Sequence, residues 1–353
     1  MKTLFKILVS LLIMILIALL GFIAILSIME YKPKKVQNLP VESEIPTQEN
    51  IQLGKELTLL SWNIGYGGLG KEMDFFMDGG EMTRPESKSV VNGYLRGIKA
   101  TISGIDPDIV LLQEVDASSR RSYNIDEREV LGQGFDYSSY ALNYSCIFVP
   151  VPFPPMGTVY SGLYTMTDDL TMESAKRIAL KCPFAWPVRI FNLKRCLMAS
   201  YLPIEGSDKK LVVVNMHLEA YTKGDERVEQ TQQLLTFMQE EYEKGNYVIA
   251  AGDFNQFMPG SREVYPKTSR DWEPGTLDES LIPEGWTLVY DLSVPTARSN
   301  NQPYDPENPT VQHYSIDGMI VSPNVNLISL ETVDKGFLYS DHNPVKLRFS
   351  LKD

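Results

Sequence analysis

Two of the three histidines in this 353-residue chain stand among carboxylates and amides that close apolar runs. The polar groups are Asn63, Gln113 with Glu114, Asn215 with His217, Asp253 with Asn255, Asp317, and Asp341 with His342. Carboxylate and amide oxygens suit a hard, oxygen-preferring cation such as Mg²⁺, and imidazoles move protons near neutral pH. Together they are the tools of phosphoester hydrolysis. Taken singly, an Asp or Asn after a strand is more often a turn or helix-cap residue than a ligand. The set resists that explanation, because two of the three histidines fall inside it. The third, His313, lies four residues before Asp317 in an ordinary context, Val311-Gln312-His313-Tyr314, and is a minor candidate.

Such side chains need a rigid support that leaves them exposed at its rim. Short β-rich runs supply it: Leu57 to Trp62, Ile109 to Gln113, Leu211 to His217, Tyr247 to Gly252, Ile316 to Val321 and Val345 to Leu351. Several are almost continuously apolar, as central strands covered on both faces would be. Val91, Leu95, Ile98 and Ile102 recur at helical spacing before Asp106-Pro107, and Val228, Leu235, Met238 and Tyr242 before Gly245. Both segments are expected to lie as helices on a sheet. Residues 256–312 carry eight prolines and little period, so a long loop region bordering the substrate is expected there. The Gly-, Met- and Phe-rich stretch from Gly65 to Arg96 reads as an insertion near Asn63, either a substrate lip or surface packing.

In order along the chain stand Leu60-Ser61-Trp62-Asn63-Ile64, Asp106-Pro107-Asp108-Ile109-Val110-Leu111-Leu112-Gln113-Glu114-Val115, and Asn215-Met216-His217-Leu218. Gly252-Asp253-Phe254-Asn255, Ser315-Ile316-Asp317-Gly318 and Ser340-Asp341-His342-Asn343-Pro344 follow. Each word is weak alone, but the ordered set resembles the endonuclease/exonuclease/phosphatase superfamily across residues 57 to 351. The resemblance implies an α/β fold: a four-layer α/β/β/α sandwich of two packed β-sheets flanked by helices. It also implies a divalent-metal-dependent hydrolase that cleaves a phosphodiester or phosphomonoester by in-line attack of water, without a covalent intermediate.

The same resemblance implies roles. Glu114 would be the principal metal ligand, with Asn63 and Asp341 completing or supporting the coordination of Mg²⁺, or of Mn²⁺ or Ca²⁺ in its place. Asp253 and Asn255 would orient the attacking water and the scissile phosphate. Asp317 would hydrogen-bond His342 and fix its tautomer. His217 would face the phosphate from the other side, and which histidine is acid and which base stays open. Arg195 stands where some nucleases of the family keep a phosphate-binding arginine, although a solvated cation at a strand start is an equal reading. Ser161-Gly162-Leu163-Tyr164 departs from the family's glycine-containing strand, and no catalytic role is assigned to it.

Ile7 to Met29 is an uncharged apolar run flanked by Lys2 and Lys6 before it and Lys32, Lys34 and Lys35 after it. At ~1.5 Å per residue it spans a bilayer core. A cleaved signal peptide is the competing reading, yet the run is longer than a signal's apolar region and Ile25-Leu26-Ser27-Ile28-Met29 offers no small-x-small site. The expected organisation is a flank at 1–6, a transmembrane anchor at 7–29, a juxtamembrane linker at 30–56 and a catalytic domain at 57–353. The domain is expected outside the cytoplasm as part of a single-pass membrane protein. Beyond residue 36 the chain has 44 Asp and Glu against 28 Lys and Arg, a formal −16. That surface repels polyanions, so nucleic acid is a disfavoured substrate beside a lipid headgroup or phosphorylated small molecule. Three cysteines, Cys146, Cys182 and Cys196, show no C-x-x-C pairing, which argues against a zinc site. No protein partner is inferred. The competing function is a non-catalytic, membrane-anchored binding domain that keeps the fold.

Overall fold

A computed structural model describes residues 1–43, 49–221, 226–268 and 272–353. Helix α1 (Lys2–Ile28) is long and apolar enough to cross a membrane, and almost all of it is exposed. After it come β1 (Val36–Leu39), β2 (Glu42–Ser43), β3 (Leu57–Asn63), α2 (Lys88–Ile105), β4 (Ile109–Asp116) and the short α3 (Glu127–Leu131). The middle of the chain forms β5 (Tyr137–Val149), β6 (Gly157–Thr167), β7 (Ser174–Ala179), β8 (Cys196–Pro203), β9 (Lys210–His217), α4 (Glu226–Glu243) and β10 (Tyr247–Asp253). The last part adds α5 (Ser261–Val264), β11 (Thr287–Val289), β12 (Ala297–Arg298), β13 (His313–Tyr314), β14 (Asp317–Val321), β15 (Val325–Thr332) and β16 (Val345–Leu351).

Among the described residues fourteen strands build two mixed sheets, ordered β1-β7-β8-β9-β10-β14-β11 and β15-β16-β3-β4-β6-β5-β2, while β12 and β13 pair apart. The alternation along each central strand explains the layering. In β3, Leu57 and Leu59 face the other sheet, where they meet Leu211, Val213, Ile249 and Met319. Leu60 and Trp62 point the opposite way, against Val91, Leu95, Ile98 and Ile102 of α2. On the far side, Val212, Val214, Val248 and Ala250 pack on Leu234, Leu235 and Met238 of α4. The result is the expected four-layer α/β/β/α sandwich. Its parallel pairs β3–β4 and β9–β10 are joined through α2 and α4, the crossover that parallel strands require.

Residues 30–56, expected as a linker, contribute two edge strands, β1 against β7 and β2 against β5, and bury Ile51 in the inter-sheet core. Edge strands this short, bonded on one side and mostly exposed, leave no periodic trace in the sequence. Residues 44–48 of that stretch lie outside the described residues, as do residues 269–271 of the long loop region. Within the stretch Gly65 to Arg96, the part from Lys88 onward is the first half of α2 rather than insertion.

Candidate active site

The tips of β3, β4, β9, β10 and β14 converge at one end of the sandwich, and the two sheets are tied together beneath them. Gln113 Nε2 donates to Asn215 Oδ1 at 2.8 Å, and Asn215 Nδ2 donates to the carbonyls of Leu112 and Tyr164 at 3.0 and 3.1 Å. This buried amide pair braces one sheet on the other, which fixes the height of the residues above it.

Asp253 lies in register with His217 across the parallel pair β9–β10 and with Asp317 across the antiparallel pair β10–β14. Three neighbouring strands therefore present one row of chemistry. Glycine at 252 permits it: φ is 149°, and a Cβ there would stand 1.9 Å from the Met216 carbonyl oxygen. Asn255 follows in the left-handed region, φ 49°, and its backbone N–H and side chain both donate to Asp253, at 2.7 and 3.3 Å.

From the other sheet, β4 carries a bulge between Leu112 and Val115, and Glu114 inside it adopts φ 56°. A bulge re-aims a side chain out of strict alternation, and here it turns a carboxylate into the cleft. Asn63, paired with Gln113 at the end of β3, joins the two sheets: its Nδ2 donates to Glu114 Oε1 at 3.2 Å and to Asp253 Oδ2 at 3.1 Å. Asp341 accepts from Asn300 Nδ2 at 2.6 Å and from Ser340 Oγ at 3.2 Å. Gly65 leaves room beside it, since a Cβ there would meet Asp341 Oδ1 at 2.8 Å.

His342 Nδ1 sits 2.8 Å from Asp317 Oδ2, and its Nε2 lies 3.8 Å from Asp253 Oδ2. His217 Nε2 approaches that same oxygen to 3.5 Å, while its buried Nδ1 has no hydrogen-bond partner among the described residues. Burial works against protonating His342, but the charges of Asp317, Asp253 and Asp341 and the Asp317 bond hold its pKa up at about 10. Burial, Arg195 and His342 push His217 the other way, well below the usual imidazole range. Burial and the charge of Asp317 raise Asp253 to about 7. Burial also raises Glu114, Arg121 opposes that shift, and the charge of Asp341 adds to it.

The structure thus brings together Asn63, Glu114, His217, Asp253, Asn255, Asp317, Asp341 and His342. Arg195 also lines the cleft, but it is buried rather than solvated: Nε donates to Glu219 at 3.2 Å and Nη1 to the His217 carbonyl at 3.1 Å. His313 packs between Tyr304 and Phe337 and does not line the cleft. Sequence reasoning missed Tyr66, Asp78, Arg121, Arg298 and Asn300, all of which border the site. Arg121 stacks 3.7 Å over the Tyr66 ring and grips Asp116 with two bonds of 2.9 and 3.0 Å. These residues stand in single helical turns, the two-residue strand β12 and the connection after it, where neither period nor motif marks them. The Gly-rich stretch after Asn63 and the 256–312 region both reach the cleft, through Phe75 and Met77 and through Trp272 and Ser299.

A divalent cation fits the donor set. Glu114 and Asp341 are two carboxylates placed close enough to raise the pKa of the first, and Asp78 is raised to about 6 by burial and by the same Asp341. A cation would relieve that repulsion. Asp253, Asp317 and His342 also offer ligand atoms within 4.8 Å of one another. Within that group His342 Nδ1 already bonds Asp317 Oδ2.

The model of the endonuclease/exonuclease/phosphatase family matches residues 60–342. The chain belongs to this family. As a member it is an enzyme of the phosphoesterase class. Its fold is shared with an endonuclease/exonuclease/phosphatase from Beutenbergia cavernae DSM 12333, at TM-score 0.58 and 19% identity over 84% of this chain and 72% of that one. ANGEL2, a 2′,3′-cyclic phosphatase solved with adenosine-2′,3′-vanadate, aligns at TM-score 0.56 and 14% identity over 89% and 99% of the two chains. The human Nocturnin catalytic domain with bound sulfate aligns at 0.52 and 17% over 89% and 97%. No curated protein matches the chain by sequence. At such identities the family member shares an architecture with these enzymes, and its substrate has to be argued from its own residues.

Proposed function

We propose that this family member is a membrane-anchored, divalent-metal-dependent phosphoesterase that cleaves its substrate by in-line attack of water. The observation that carries the reading is the pair of imidazoles flanking one carboxylate oxygen, His217 Nε2 at 3.5 Å and His342 Nε2 at 3.8 Å from Asp253 Oδ2. They start in opposite protonation states, His342 charged and His217 neutral, which is the division of labour that acid–base chemistry on one substrate needs. Asp317 fixes the ring of His342 with Nε2 facing the cleft, and would set its tautomer once Nε2 gives up its proton. Asp253 and Asn255 orient the water and the scissile phosphate.

Glu114, Asn63 and Asp341 would hold the cation, Mg²⁺ or in its place Mn²⁺ or Ca²⁺. Bound there, it would acidify water and offset charge gathering on the phosphoryl oxygens. Arg195 acts from behind, by holding the His217 backbone, as much as on the substrate. The reading takes residues 57–353 as the catalytic domain and Ile7 to Met29 as an anchor that holds it on the extracytoplasmic face. Apolar lining by Leu69, Phe75, Met156 and Leu193 and a formal −16 beyond residue 36 favour a lipid headgroup phosphoester over nucleic acid.

The test assays the full chain in detergent with Mg²⁺, Mn²⁺, Ca²⁺ or EDTA on a generic phosphodiester, plasmid DNA and sphingomyelin. His217→Ala and His342→Ala serve as controls. Metal-dependent turnover that falls by about 100-fold or more in both variants is expected. A folded wild type silent on every substrate would instead favour the non-catalytic binding domain.

A further inference from the structure

The C-terminal turns of α1 are covered on one side only. Phe22, Ile23, Leu26, Ser27 and Glu30 lose exposure while their neighbours stay open, a spacing that marks a single helix face. The Phe22 ring meets Phe148 edge-on with centroids 5.9 Å apart, and Trp186 Nε1 donates to Ser27 Oγ at 3.0 Å. One turn higher, Glu30 takes Arg189 at 3.0 Å and Lys194 at 3.4 Å. From Phe22 to the end of the apolar run at Met29 is about 10 Å at ~1.5 Å per residue. Whatever touches Phe22 and Ser27 on a helix that spans a bilayer must lie among the headgroups and outer acyl segments.

The two segments that do so are built for that depth. The turn between β5 and β6 and the segment Cys182 to Val188 contain no charged residue. They expose Phe153 at 95%, Val151 at 58%, Trp186 at 55% and Val188 at 55%. Large apolar side chains presented together to water mark an interaction surface. Arg189, Lys194 and Lys32 surround the one carboxylate of Glu30 beside them, which leaves a locally positive edge on a molecule that is otherwise strongly acidic. Aromatic tips, aliphatic neighbours and a basic edge are the composition of a surface seated in a bilayer interface.

We infer that the β5–β6 turn and the Cys182 to Val188 segment form a membrane-seated foot, docked into the bilayer that α1 spans. The same two stretches of chain lead into the cleft wall, through Tyr144 just before the turn, Met156 in it, and Phe191 and Leu193 just after the other segment. The foot therefore holds the cleft at the lipid surface. Taken with the hydrolase reading, on which this last step rests, it selects a phosphoester carried by a lipid of that leaflet.

The full chain, reconstituted in phosphatidylcholine–phosphatidylserine vesicles, reports on the foot through its tryptophan fluorescence. Lipids brominated on the upper acyl chain should quench the wild type, and Trp186→Phe should lose most of that quenching, because Trp62 lies in the core, Trp286 packs on Tyr242, and Trp272 packs on Tyr314 inside the cleft with its Nε1 donating to the Ala220 carbonyl. Equal quenching in both proteins, or none in either, overturns the inference. In a second arm, Val151→Ser with Phe153→Ser should cut hydrolysis of a vesicle-borne phosphodiester by about tenfold or more and leave a water-soluble diester unchanged. Equal losses on both substrates also overturn it. Trp186-dependent quenching with no hydrolysis of either substrate would keep the foot and reject the hydrolase.

Discussion

His342 is fixed at three points. Asp317 takes Nδ1 at 2.8 Å, Trp62 Nε1 donates to its carbonyl at 2.8 Å, and its N–H donates to Ser340 Oγ at 3.2 Å. The backbone bonds place the residue, and only the Asp317 bond decides which ring nitrogen faces the cleft. Asp317→Asn should therefore lower kcat by roughly 100-fold, and also lower the melting temperature, since it breaks a buried ion pair. Steady-state kinetics beside a thermal melt checks this, and an unchanged kcat would remove Asp317 from the machinery. Glu114 allows a test of the cation that does not read activity. Its carboxylate is buried, and Asp341 makes its ionisation harder, so Glu114→Gln should cost the metal-free protein little or no stability. Millimolar Mg²⁺ should raise the melting temperature of the wild type, by the equivalent of ~2.7 kcal/mol at 100 times Kd, and leave the variant unmoved. An equal rise in both would exclude Glu114 as a ligand. His217, Asp253 and His342 were legible in the sequence because the first two end apolar runs, the third stands just before one, and each sits in a recognisable word. Tyr66, Asp78, Arg121 and Asn300 were not, since long-range packing alone brings such residues to the cleft.

The elements set these side chains by two local departures from regularity, the bulge at Glu114 and the close approach at Gly252. The second gives a sharp expectation. In Gly252→Ala a Cβ would stand 1.9 Å from the Met216 carbonyl oxygen, at a φ that L side chains rarely adopt. Neither backbone can yield without parting β9 from β10, so a loss of about 3 kcal/mol or more is expected in chemical denaturation. The surviving folded fraction should also be impaired in turnover, because His217 and Asp253 sit immediately beyond the strained pair. A variant as stable and as active as the wild type would mean that the strands do not approach this closely. The central strands and helices α2 and α4 were legible because burial on two faces, or on one face at helical spacing, leaves a pattern. The long hairpin strands β5 and β6 were not: partly exposed Tyr137, Ser138, Tyr140 and Ser145 and a buried Asn143 along β5 blur any alternation. The Glu114 bulge was equally hidden, since one residue out of register changes geometry without changing composition.

For the whole molecule, the decisive quantity is charge. The chain beyond residue 36 carries a formal −16, and the arginines at the cleft are already engaged. Arg121 holds Asp116, Arg195 holds Glu219, and Arg298 donates to the carbonyls of Gly70, Met73 and Ser299. A nucleic acid approaching this surface meets net repulsion and, at these three residues, cations whose donors are largely spent. Proteins that grip DNA through a basic track release counterions, and their binding weakens steeply as salt rises. The opposite sign is expected here. At low ionic strength the repulsion acts over long range, whereas near 0.15 M salt the screening length shrinks to about 8 Å and the barrier to encounter falls. Any cleavage of plasmid DNA by the full chain should therefore speed up as NaCl is raised from about 0.01 to 0.15 M, at fixed Mg²⁺. Hydrolysis of a small substrate with an uncharged or zwitterionic headgroup should stay nearly flat over the same range. Rates measured on both substrates across a salt series decide the matter. A steep fall in the DNA rate would reveal a cationic track that the net charge conceals and would move nucleic acid to the front of the substrate classes. A rise or a flat response keeps the proposed lipid headgroup there, because a neutral headgroup is a phosphoester that an acidic enzyme, anchored as proposed, would meet without an electrostatic penalty.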